Sequence, residues 1–162
     1  MKRLILLSLF AVASCQPKES ATNIEEKHQP TDAETETCAA CGMVMREQPA
    51  PRGQVIHRNG DRQFLCSIDD LLQYLNIPSP NGQPIRIYSE VMPDAHAVDD
   101  MDTDFQPWQE ADQLFYVTGI KRKGVMGAPV LSYSTREAAD KAAAKFGGSV
   151  VDFEQLRKQT NE

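Results

Sequence analysis

The sequence lacks the features that most common functions require. Only 17 of its 162 residues are Lys or Arg, against 23 Asp or Glu, for a formal net charge of −6. Most of the few clustered basic residues lie at the extreme N-terminus, so no basic stripe is left to follow a phosphate backbone, which argues against nucleic acid as a partner. Past the N-terminus no run of about 18 apolar residues occurs, so no transmembrane helix is expected. No Gly-rich phosphate loop and no Ser-His-Asp arrangement stands out, which leaves nucleotide and hydrolase chemistry unsupported. The chain has one C-x-x-C and neither a second one nor a His pair, so a closed structural zinc site lacks its usual four N or S ligands. An acidic stretch between 93 and 112 has neither the Gly nor the terminal Glu of an EF-hand loop at the required spacing.

What is present is ordinary in bulk and unusual in one place. Hydrophobic residues make up 41% and charged residues 25%, as in a globular protein of one domain or of two small halves sharing a core. The unusual place is Cys38-Ala39-Ala40-Cys41-Gly42-Met43-Val44-Met45, two thiols and two thioethers in eight residues. Soft sulfur donors at this density suit a soft monovalent ion such as Cu(I) better than a hard cation. Core packing is the plain alternative for the methionines, and a redox pair the alternative for the cysteines.

The N-terminus reads as an export signal. Lys2-Arg3 precedes an apolar run from Leu4 to Val12, and Val12-Ala13-Ser14-Cys15 resembles the lipobox of bacterial lipoproteins. The resemblance implies removal of residues 1–14 and acylation of Cys15, with the chain anchored on the periplasmic side of a bacterial membrane, the outer one being compatible with Gln16. Cleavage takes the net charge to about −8 and leaves Cys38, Cys41 and Cys66. An odd number of thiols in an oxidising compartment leaves at least one to stay free, bind metal or pair with another molecule.

Residues 15–36 are polar and acidic and read as a flexible tether spanning on the order of 25 Å, with His28 solvated. Residues 37–157 read as the folded domain and 158–162 as a tail. Gln54 to His57 and Gln63 to Cys66 are strands around an Asn59-Gly60 turn. Ser67, with Asp70 three residues on, caps a helix carrying Leu71, Leu72 and Leu75, and Ile85 to Val91 alternates as a strand. Residues 93–112 read as a solvated linker, with His96 and Met101 as weak ligand candidates. The pattern then repeats. Strands are expected at 114–117, 129–133 and 149–153, with a helix capped by Ser134, carrying Ala138, Ala142 and Phe146 and ended by Gly147-Gly148. The expected fold is α+β, with two similar strand-strand-helix-strand halves, about 37–95 and 110–157, sharing one compact domain.

Several short motifs in this order and spacing resemble the NosL family, from about residue 38 to 155. They are Cys41-Gly42-Met43, Phe64-Leu65-Cys66-Ser67-Ile68-Asp69-Asp70-Leu71, Trp108 with Ala111 and Tyr116-Val117, Val125-Met126-Gly127, and Lys145-Phe146-Gly147-Gly148-Ser149-Val150. The resemblance implies two similar strand-strand-helix-strand halves and a Cu(I) chaperone rather than an enzyme. Its implied partners are apo-nitrous oxide reductase, whose copper–sulfide centre it helps load, and a membrane transport complex. One departure is Gly124-Val125 before Met126, where the family typically has Pro or Gly-Pro.

Cys41 is the leading ligand candidate, because one thiolate neutralises Cu⁺. Met43, two residues on, shares its side if the segment is extended, and Met126 follows a Gly-bearing loop of the second half. Cys38, Cys66, Met45 and His57 are secondary candidates. Cys66 reads more naturally as a buried thiol and His57 as an exposed side chain. A thiol–disulfide protein using Cys38 and Cys41, a zinc-binding lyase-like domain, and a lipid-anchored binding module with incidental sulfurs remain as alternatives.

Overall fold

The computed structural model describes residues 27–94, 103–121 and 127–160. Lipidation at Cys15 and the candidates His96, Met101 and Met126 lie outside them. Among the described residues no helix is long and apolar enough to cross a membrane.

Two halves repeat one plan. In the first, β1 (Gly53–His57) pairs antiparallel with both β2 (Arg62–Leu65) and β3 (Pro84–Glu90), and helix α1 (Ile68–Asn76) joins β2 to β3. In the second, β5 (Phe115–Thr118) takes the same central place between β6 (Leu131–Tyr133) and β7 (Ser149–Asp152), with α2 (Arg136–Phe146) between them. Strand order is thus β2-β1-β3 and β6-β5-β7, as the strand-strand-helix-strand reading requires. A further strand, β4 (Trp108–Glu110), extends the first sheet at the β3 edge.

Local signals explain the elements. Gly60, at φ +86°, turns the β1–β2 loop. The Ser67 hydroxyl accepts the Asp70 N–H at 3.0 Å, satisfying one of the donors a helix start leaves free. In the second half Thr135, not Ser134, is the cap. Its hydroxyl accepts the Ala138 N–H at 3.2 Å, because the helix starts one residue later than the Ser134–Glu137 spacing suggests. Gly147, at φ +76°, ends α2.

Three readings need correction. Residues 27–36 are docked rather than a free tether. Ala33 is fully buried, Gln54 exchanges hydrogen bonds with both backbone groups of Thr31, Tyr88 Oη donates to the His28 carbonyl, and Trp108 Nε1 donates to Asp32. Few apolar side chains are used, so composition does not betray the contact. The described part of 93–112 is likewise ordered, through β4 and the buried Arg52 (below). The chain past Asp152 is a third helix, α3 (Phe153–Gln159), where a strand residue and a tail were expected. Asp152 and Gln155 form a reciprocal capping box, and Phe153 and Leu156 are buried.

The halves share a core. Tyr116 and Val151 face α1, α3 and β2 residues such as Leu71, Leu156 and Leu65. Alternate positions of the second sheet, Val117 and Leu131, face α2. Where β1 passes α1, a Cβ on Gly53 would come within 2.9 Å of Leu71 Cβ, so glycine permits the close approach that seats α1 on the sheet.

A buried ion pair fastens the first half to the connection that follows it. The Arg52 guanidinium grips Glu90 through two bonds, Nε at 2.8 Å and Nη2 at 2.7 Å, with both side chains fully buried. Its remaining donors reach the carbonyls of Met45, Gln48, Thr103 and Asp104, and Phe105 lies under the guanidinium at 4.1 Å. Burial pushes the Glu90 carboxyl above its usual range, against the opposing pull of Arg52. Removing one member leaves the other charge buried and unpaired. Arg52→Met is expected to cost about 3–5 kcal/mol in urea unfolding, whereas Arg136→Met, which breaks an exposed pair with Asp140, is expected to leave the midpoint unchanged.

Candidate metal-binding site

The sulfur-rich segment folds into a closed turn. The Cys38 N–H donates to the Met43 carbonyl and the Gly42 N–H to the Cys38 carbonyl, each at 2.8 Å, and Thr37 bridges Val44. Gly42 sits at φ +75°, a conformation glycine adopts without a steric penalty. The chain therefore turns through 39–41 rather than running extended, and strand alternation does not set the relation of Cys41 to Met43. The Ala39 N–H donates to the Phe64 carbonyl at 2.8 Å, which docks the turn beside β2, two residues before Cys66.

That docking brings together residues distant in sequence. The donor atoms of Cys38, Cys41, Cys66 and Asp70 all lie within 4.8 Å of one another. Cys41 Sγ is 3.5 Å from Cys66 Sγ, and the Cys66 thiol donates to Asp70 Oδ2 at 2.9 Å. Cys38 Sγ lies 3.9 Å from the same oxygen. All three cysteines are free, Cys38 and Cys66 buried and Cys41 exposed. Cys66 immediately precedes the Ser67 cap and Asp70 ends the same turn, so one helix start supplies both. Asp70 was missed in sequence as a site residue. Its signal was a Cys and an Asp four apart across a capped helix start, which read only as a capping pattern.

The three thiols are not equivalent. The side-chain interaction with Cys66, helped by the backbone N–H groups of Cys66, Cys41 and Ala40, outweighs burial and holds Cys38 down at about 5, from 9.0. Cys66 is pushed far up by its interaction with Cys38, by burial and by its bond to Asp70. Desolvation also raises Cys41. Of the three thiols, Cys38 is the one whose surroundings most favour the thiolate, and Cys41 gives up its proton when metal binds.

The other described candidates are not part of this four-donor cluster. Met43 is half-buried against the core and Met45 is fully buried within it, which makes Met45 packing. His57 is fully buried rather than exposed, its Nε2 2.9 Å from Tyr74 Oη, because β1 is a central strand covered on both faces. It lies four residues, about 13 Å, along β1 from Gly53, whose partner Leu65 adjoins Cys66. Gly127, at φ +71°, packs against the Asp69 carboxylate so closely that no Cβ would fit. The second half thus meets the first turn of α1 beside the cluster.

A folded-state pKa below the unfolded one adds stability that is complete above the unfolded value and lost as pH falls through the folded one. For Cys38 the window is about 9 down to about 5. The reduced apoprotein is expected to show one thiolate absorbance step near pH 5 that Cys38→Ser removes, along with a rise in stability from pH 5 to 9. A first thiolate appearing only near pH 9 would contradict the arrangement.

Comparison with known proteins places this geometry. The NosL family model matches residues 30–161. The chain is 26% identical to the copper-binding lipoprotein NosL of Stutzerimonas stutzeri over 162 residues, covering 94% of this chain and 77% of that one. It is 28% identical to the copper-binding lipoprotein NosL of Achromobacter cycloclastes over 151 residues, covering 91% and 75%. The fold matches the crystal structure of the copper chaperone NosL from Shewanella denitrificans with a TM-score of 0.65 at 24% identity, over 78% of this chain and 94% of that one. With most of its length matched by the family model and its architecture shared, the chain belongs to the NosL family.

Proposed function

We propose that this protein is a Cu(I) chaperone. It takes up the ion through Cys41 and passes it on for assembly of the copper–sulfide centre of nitrous oxide reductase, directly or through a membrane transport complex. The observation that carries this reading is the exposed thiol of Cys41, 3.5 Å from a second sulfur and within a cluster of three free cysteines. A soft ion is held by such donors, and an exposed ligand leaves room for an incoming one, so the ion can be exchanged rather than locked in. Relatives named copper-binding lipoproteins support both the cargo and the anchor. Attachment through Cys15 on the periplasmic side would hold the site near the membrane, and the ion is cargo, with no reaction catalysed.

Met43 and Met126 are the thioether ligands of this proposal. Met43 adjoins the turn, and Met126 immediately precedes Gly127, the residue seated against Asp69. Thioethers add donors without adding charge, so a Cys-Met-Met set leaves Cu⁺ neutral and low-coordinate. Cys41 and Cys66 lie close enough to be oxidised together, which would remove the ligand, so uptake requires the reduced protein.

Anaerobic titration of the reduced protein against a chromophoric Cu(I) chelator tests the proposal. Wild type is expected to take up one tight equivalent. Cys41→Ser is expected to weaken binding at least about a hundredfold, about 2.8 kcal/mol, with its circular dichroism unchanged. Met43→Leu and Met126→Leu are each expected to lose about tenfold, roughly 1.4 kcal/mol. A Cys41→Ser protein that competes as well as wild type would sink the assignment.

A further inference from the structure

Copper does not use everything the site offers. Asp70 contributes a hard carboxylate oxygen, which a soft monovalent ion does not favour, whereas Zn²⁺ accepts both thiolate and carboxylate in one tetrahedron. Charge separates the two ions further. Three thiolates and a carboxylate carry −4, which a divalent ion halves and a monovalent ion barely reduces.

The spacing fits the same ion. Metal–sulfur bonds of about 2.3 Å in a tetrahedron set sulfur vertices roughly 3.8 Å apart. Here the Cys41 and Cys66 sulfurs are 3.5 Å apart and Cys38 Sγ is 3.9 Å from the Asp70 oxygen, with all four donors inside 4.8 Å. An ion would widen the Cys41–Cys66 edge slightly and the 2.9 Å Cys66–Asp70 edge more, and the latter is a hydrogen bond that the ion would replace.

The four donors are also held in advance. The turn at 38–42 is closed by its own backbone bonds and fastened to β2, while Cys66 and Asp70 flank the Ser67 cap of α1. Both lie at the helix end that favours negative charge. The Cys66 N–H points at Cys38 Sγ at 3.4 Å, as an outer-shell donor to a ligating sulfur does. The missing half of a C-x-x-C zinc site is thus supplied by a Cys and an Asp 25 and 29 residues downstream of Cys41.

We propose that Cys38, Cys41, Cys66 and Asp70 form a tetrahedral site for a thiophilic divalent cation of the Zn²⁺ type. Because Cys41 serves both ions, the divalent ion and Cu(I) exclude each other. That exclusion rests on the copper reading above, and the divalent site itself does not. A four-ligand site closes over its ion, so a zinc-loaded chain is a form that holds copper off until the divalent ion leaves.

The test is titration of the reduced protein with Co²⁺ as a visible probe, followed by Zn²⁺. One equivalent of Co²⁺ is expected to give the intense visible bands of tetrahedral cobalt–thiolate coordination, and Zn²⁺ to bleach them. Asp70→Asn, which keeps the side chain's size, is expected to weaken Co²⁺ and Zn²⁺ at least about tenfold. Cys66→Ser, as a second variant, is expected to lose at least as much Co²⁺ affinity. Zinc-loaded wild type is expected to bind Cu(I) more weakly than apoprotein. Absence of tetrahedral cobalt bands, or unchanged divalent affinity in both variants, would overturn the proposal. Wild type that binds Co²⁺ but not Cu(I) would overturn the copper reading and leave the divalent site standing.

Discussion

The buried pair of Arg52 and Glu90 sets where the sulfur turn can lie. A guanidinium out of water must have its N–H groups satisfied, and Arg52 is satisfied by Glu90, by carbonyls of the 3-10 turn at 45–48 and by carbonyls at 103–104 of the connection. The first segment begins two residues after Met43, so the far end of the turn is held here while its near end is held by the Ala39 bond to Phe64. Glu90 reaches the other half as well. Its carbonyl accepts the Ser132 hydroxyl, and the Met92 N–H donates to the Ser132 carbonyl at 2.8 Å. The pair therefore joins the sulfur turn to the connection, while the backbone of the same strand end reaches the second sheet.

Much of the fold was legible because it is written in local grammar. A strand, a hydroxyl cap and an apolar helical stripe occur twice, and each half folds into the same β-order. The cap of α2 moved by one residue because Ser134 and Thr135 are adjacent and either can cap. Helix α3 was missed although Asp152 and Gln155 stand at capping-box spacing. What was not legible is long-range. The docking of 27–36 runs through backbone groups, the Asp32 carboxylate and one alanine, which composition does not register. His57 was read from alternation, which holds for a strand with one face in water and fails for β1, covered on both.

The site divides along the same line. Cys38, Cys41 and Met43 were visible as a dense local motif. That Cys66 and Asp70 join them depends on a turn docking beside β2, a contact between segments more than 20 residues apart. The structure also differentiates the thiols within the motif. Desolvation raises the exposed Cys41 thiol, while Cys38, buried under converging N–H groups, is held down. A buried anion beside an exposed thiol suits capture, since the anion attracts the cation and the exposed sulfur meets it first.

The central claim is that the ion is held by sulfur at this turn, and X-ray absorption at the copper edge of the Cu(I)-loaded protein tests it most directly. The account predicts a low-coordinate first shell made of sulfur, thinned by one scatterer in Cys41→Ser. A first shell dominated by nitrogen or oxygen, or one unchanged in that variant, would contradict it.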